Sequence, residues 1–170
     1  MLNTIQAFII TLTLTAFTFA DVFMTELTDP QNSSDAGRYV ELHNNSDEDC
    51  DWSTRDSGMA LVRWTNANDN YTASSLKYLT PDDETAFHGI PGYGFYIVCN
   101  NADKFSETYG LTCDQSIGTG GAADSNGDDN VALLDASGNI VDMFGVAGED
   151  GSGTGHEFED GRAERAESNT

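Results

Sequence analysis

The stretch that most constrains this chain runs from Asn130 to Gly145: Asn-Val-Ala-Leu-Leu-Asp, then Ala-Ser-Gly-Asn, then Ile-Val-Asp-Met-Phe-Gly. It reads as two strands around a tight turn. Asp135 suits the first turn position, where its carboxylate accepts a backbone N–H two residues on, and Gly138 suits the position that needs φ > 0. A type I turn closed by a glycine bulge fits best. Val131 and Leu133 point one way, Ala132 and Leu134 the other. A strand apolar on both faces belongs in the middle of a sheet, covered on both sides. The rest of the chain is expected to supply that cover.

Further short apolar runs are separated by turn clusters. Val22 to Thr28 and Arg38 to Asn44 read as strands, with Val40 and Leu42 facing the core. Asp51-Trp52 and Met59 to Trp64 follow, with Trp52 as a core plug. Leu76 to Leu79 reads as an edge strand and Tyr93 to Cys99 as an inner one. Asn101 is placed to cap a helix over Ala102 to Tyr109, which Gly110 ends; Phe105 and Tyr109, four apart, share a face. Glycine is abundant (17) and proline scarce (3), which suits a turn-rich β protein. The expected fold is all-β, a β-sandwich with one short helix in a crossover.

Residues 1–20 carry no charged side chain, and Thr18-Phe19-Ala20 precedes Asp21. This is the pattern of a signal peptide cleaved after Ala20. The rival reading, a single membrane anchor, has a short apolar run and no basic stop behind it. The expected location is therefore extracellular, with no membrane contact once the signal is removed. There the cysteines meet oxidising conditions. Cys99 and Cys113 bracket one compact segment and are the natural disulfide, worth about 3 kcal/mol by loop closure. It would staple the helical crossover to the sheet. Cys50 is left over, either as a buried thiol or as the partner of a cysteine elsewhere.

Lys and Arg number 7 against 29 Asp and Glu, a formal net charge of −22. Such a surface disfavours nucleic-acid binding through a basic patch and repels anionic membranes. It favours cations and basic partners. Asp124, Asn126 and Asp128 place side-chain oxygens at alternate residues. Val131 then stands at the eighth position and Asp135 at the twelfth, as in a calcium-binding loop. Asp129 replaces the glycine of that motif, Asp135 its glutamate, and the flanks read as strand. His156-Glu157-Phe158-Glu159-Asp160 begins like a zinc-protease helix, but Asp160 stands where the second histidine belongs and glycines break the helix. Glu26 and Glu41 fall on neighbouring strands, where they either share a site or face solvent. His43 and His88 are isolated, and no serine sits in a nucleophile elbow. Asn32, Asn44 and Asn70 each open a glycan acceptor pattern in a loop or at a strand end. Residues 149–170, few of them apolar, read as an acidic flexible tail.

Residues 22–27, the Gly37-to-Asn44 segment ending in Tyr-Val-Glu-Leu-His-Asn, the Trp52 region, residues 94–98 and the run from Asn126 to Asp142 resemble the lamin tail domain family, in its secreted microbial form. The match covers most of residues 22–146. The resemblance implies an immunoglobulin-like sandwich over residues 21–148. It also implies a non-catalytic module that binds an extracellular protein or surface ligand. The alternative it implies is an accessory domain of a secreted nuclease or phosphatase whose catalytic part lies outside this chain. In such relatives the segment beyond Gly148 tends to run on into further chain.

Overall fold

The computed structural model describes residues 22–52 and 58–166, and the proposed signal peptide lies outside them. Eleven strands and one helix are described: β1 (Val22–Thr28), β2 (Tyr39–Asn44), β3 (Cys50–Asp51), β4 (Ala60–Trp64), β5 (Lys77–Tyr78), β6 (Gly89–Ile90), β7 (Phe95–Cys99), α1 (Ala102–Tyr109), β8 (Gln115–Ser116), β9 (Asn130–Leu134), β10 (Ile140–Phe144) and β11 (Arg162–Glu164). A five-stranded sheet runs β11-β1-β2-β7-β8 and a four-stranded sheet runs β10-β9-β4-β5; β3 and β6 form a separate pair. The protein is an all-β sandwich with one short helix. Among the described residues no helix is long and apolar enough to cross a membrane.

The hairpin of β9 and β10 forms as its residues dictate. The Asp135 carboxylate accepts the N–H groups of Ser137 (2.8 Å) and Asn139 (2.9 Å). Gly138 has φ +80° and donates its N–H to the Asp135 carbonyl at 2.9 Å. Every residue of β9 is buried. Val131 and Leu133 join the main core with Met24, Leu42, Leu61, Ile90 and Val98; Ala132 and Leu134 pack on the opposite side with Val62 and Trp64. Helix α1 also follows the sequence. Asn101 caps it by accepting the Lys104 N–H, and Gly110 ends it at φ +70°. The Cys99–Cys113 disulfide is present and ties this crossover to β7, which pairs in parallel with β8. Trp52 fills the core beside Tyr96, edge to face at 4.9 Å.

The C-terminal segment departs from the expectation of a flexible tail. β11 pairs with β1, setting Glu26 opposite Glu164 and Leu27 opposite Ala163. Phe158 is buried in the main core and meets Phe144 edge-on at 5.5 Å. Its N–H donates to the Gly127 carbonyl at 2.9 Å. Gly127, at φ +92°, is fixed by this docking, because a Cβ there would strike the backbone of Glu159.

Arg165 completes the seam between the sheets. Its guanidinium donates to both oxygens of Asp142 on β10 (2.7 and 2.6 Å) and to the Met24 carbonyl (2.7 Å). The Met24 N–H in turn donates to Asp142, just where the β1–β2 register shifts. Phe158, Arg165 and the β11 pairing thus hold a segment whose composition is otherwise that of a loop.

Candidate functional site

The residues that the sequence joined as a calcium loop do not converge. Asp124 is engaged by the Gly120 N–H (2.9 Å), Asn100 (3.1 Å) and Arg38 (3.4 Å). Asp128 accepts from Asn66 at 2.9 Å and Ser152 at 3.3 Å. Asn126 is exposed. Asp135 sits in the hairpin turn, separated from Asp128 by the whole of β9, roughly 15 Å of extended chain. A calcium ion needs its oxygens within about 2.6 Å of one point, and in a strand-flanked loop the twelfth position cannot fold back to supply one. No cluster of three or more His, Cys, Asp or Glu suited to a metal occurs among the described residues. Millimolar calcium is therefore expected to leave the thermal midpoint unchanged; a saturable rise, as linkage would give, would contradict this assignment.

Asn44 is corrected as a glycan acceptor. It is fully buried, and its amide donates to the carbonyls of Glu48 (2.8 Å), Ile90 (3.0 Å) and Pro91 (3.2 Å). Its carbonyl accepts the Ser46 N–H at 3.1 Å. A glycan would take one of the two amide hydrogens that serve these carbonyls, and the fully buried nitrogen is out of reach of a transferase. Asn32 lies in a 3-10 turn, Pro30–Asn32, and Asn70 is exposed.

Burial has gathered carboxylates with arginines where the two sheets meet. Asp29 accepts from Arg38 Nε at 2.6 Å, and Arg38 and Arg63 both donate to the Asp124 carbonyl (3.2 and 2.6 Å). Arg63 also stands 3.0 Å from Asp129. Burial pushes the carboxyls of Asp29 and Asp129 above the ordinary aspartate range, against the opposing pull of Arg38 and Arg63. Glu26 is raised by burial too, although the Tyr39 hydroxyl and Arg162 work against it.

A carboxyl whose pKa is higher folded than unfolded holds its extra proton in the native state, so stability falls as pH rises through that window. Mutual repulsion among 29 acidic residues has the same sign. Asp83 and Asp150, held below the ordinary range by their own Thr85 and Ser152 turns, act only at lower pH. The thermal midpoint is therefore expected to rise as the pH is lowered from neutrality toward the ordinary carboxylate range; a steady fall along that path would contradict these positions.

The outer face of the five-stranded sheet carries a row of aromatic and ionisable side chains, most of them half-buried. Register sets Phe23 opposite His43 and His43 opposite Phe95, one residue from each of β1, β2 and β7. His43 stacks on Phe95 at 4.5 Å and meets Phe23 edge-on at 5.7 Å. In the next row Glu26 faces Glu41 directly, and Glu41 faces Ile97. Like charges directly opposite on a sheet are unfavourable. Here Glu26 is eased by the Tyr39 hydroxyl and by Arg162 at 3.4 Å, and Glu41 by Thr25 Oγ1 at 2.7 Å. Beyond them α1 closes this end of the face, laying Phe105 and Tyr109 edge-on against Tyr39 at 5.4 and 5.3 Å.

The other end stays open. Phe95 is 55% exposed and Tyr93 is 63% exposed. Tyr93 is held at φ +54°, a conformation that costs a bulky side chain on the order of 1–3 kcal/mol and clusters at ligand contacts. Its turn is braced by the neighbouring acidic loop: the Tyr93 N–H donates to the Ser46 carbonyl (2.8 Å) and the Gly92 N–H to Asp49 (2.9 Å). Asn44, from beneath, ties the same loop to the same turn. The sequence marks each strand but not this row, because only the register brings positions 23, 43 and 95 together. No known protein family matches the chain, and no characterised protein matches it.

Proposed function

We propose that the protein is a secreted, non-catalytic binding module, an immunoglobulin-like sandwich of the lamin-tail type, that attaches to an extracellular protein or surface. The observation that carries this reading is the in-register row Phe23–His43–Phe95, which ends in exposed aromatic rings on a rigid sheet. Exposed aromatics on a fixed scaffold are what an interface core needs: large contact area with little side-chain entropy left to lose. The Cys99–Cys113 disulfide supports a life in oxidising surroundings. In this reading residues 1–20 direct export, and Asn44 and the Ser46–Asp49 loop hold the open end in shape.

The test is retention of the fluorescently labelled protein on intact cells. Saturable binding is expected, and Phe95→Leu should weaken it about tenfold without moving the thermal midpoint by more than a degree or two. Binding that never saturates, or that survives Phe95→Leu unchanged, would sink the reading.

A further inference from the structure

The open end of the aromatic row is acidic on two sides. Asp47, Glu48 and Asp49 are all exposed on the loop that braces the Tyr93 turn. Glu41 lies in the row next to His43 and Phe95. The far end of the same row shows which chemistry such a setting takes. There Arg165 of this chain lies with its guanidinium 5.1 Å over the Phe23 ring while donating to the Asp142 carboxylate at 2.6 Å. Phe95, stacked on His43 yet still 55% exposed, and Glu41, whose carboxylate accepts only from Thr25 Oγ1 among the described residues, offer a comparable ring and carboxylate. No arginine or lysine among the described residues is seated on Phe95.

We propose that this end of the face is a docking site for an arginine-rich, basic polypeptide segment, with a guanidinium stacked on Phe95 and paired with Glu41 or with the Asp47–Asp49 loop. This rests on the reading of the chain as a binding module and names the chemistry of its partner. Charge complementarity selects the occupant. The chain carries −22, so it steers a polycation inward from a distance. Ring stacking then discriminates arginine from lysine, because the planar guanidinium lies flat on an aromatic face and sheds water more easily than an ammonium. A stacked cation contributes about 0.5–2 kcal/mol, so losing the ring should weaken binding roughly two- to thirtyfold. The rest of the attraction is long-range and screened by salt.

The test uses the full chain and a peptide of alternating arginine and glycine as probe, titrated calorimetrically at about 0.15 M salt. Wild type is expected to bind it, and to bind a lysine peptide of equal charge several-fold more weakly. Phe95→Leu keeps the apolar volume and removes the ring; it should weaken the arginine peptide roughly two- to thirtyfold. Phe95→Trp should bind it as well as wild type or better. Tyr78→Ala, on the four-stranded sheet, should change nothing.

Equal affinity of wild type and Phe95→Leu, or equal loss in Phe95→Leu and Tyr78→Ala, would overturn the site. Failure of wild type to bind either peptide would overturn the partner chemistry. If wild type still held to cells through Phe95 in that case, only this inference would fall and the binding-module reading would stand. Concentration-dependent self-association that Phe95→Leu abolishes, without peptide binding, would assign the face to a second copy of the chain instead.

Discussion

Phe158→Ala is expected to destabilise the fold by about 3–5 kcal/mol, the usual cost of emptying a fully packed aromatic site. For a domain of this size that is a fall in the thermal midpoint on the order of 10 °C. The reason is positional. Phe158 is only 4% exposed and closes the main core against Phe144, while its backbone is bonded to Gly127. Domain stabilities run only to about 5–15 kcal/mol, so a chain ending at Asp150 should lose much or all of its cooperative transition. That truncation removes Phe158, β11 and the Arg165–Asp142 clamp together. A flexible tail would behave in the opposite way: neither change would register in a thermal or urea melt. An unchanged midpoint for Phe158→Ala would therefore overturn the placement of the whole segment beyond Gly151.

The second large effect lies in the Asp29–Arg38 pair. Asp29 is fully buried and its Oδ1 accepts from Arg38 at 2.6 Å, the arginine side chain being 7% exposed. Removing one partner strands the other charge in a poorly solvated place. Arg38→Met should cost about 3–5 kcal/mol. Asp29→Asn should cost less, because a neutral amide can still accept from the guanidinium. The double variant should cost less than the sum of the two single ones by at least about 1 kcal/mol, since each change already removes the shared interaction. The same cycle with Lys104→Ala and Glu107→Ala, an exposed pair on α1, should give close to nothing. Strict additivity at Asp29 and Arg38 would mean that the two side chains do not depend on each other.

What the sequence made legible was whatever is decided locally. The Asp135–Gly138 turn, the Asn101 cap and the Gly110 stop each depend on two or three neighbouring residues, and each lies where those residues place it. The two-sided burial of β9 was legible too, because an unbroken apolar run leaves few other options. Long-range pairings were not. Arg162-Ala163-Glu164 has no strand pattern of its own and becomes β11 only because β1 offers an open edge. Phe158 stands alone among charges and glycines, so nothing near it announces a core position.

Asn44 shows the same limit from the other side. Its acceptor pattern is real as a string of residues, but three carbonyls brought in from residues 48, 90 and 91 claim its amide. The candidate face follows this rule as well. His43, isolated in the sequence, gains its neighbours from the register of β1, β2 and β7. The calcium spacing failed because alternation suffices for a loop between helices, whereas here β9 carries the last oxygen away.

The most direct measurement is hydroxyl-radical footprinting of the protein bound to intact cells, read residue by residue against the unbound protein. The outer face of the five-stranded sheet should be the part in contact. Phe95 and Tyr93 should be protected, while Tyr78 and Ile140, exposed on the four-stranded sheet, should label as before. Protection of Tyr78 and Ile140 with Phe95 and Tyr93 still fully reactive would place the working surface on the opposite side of the sandwich and contradict the account.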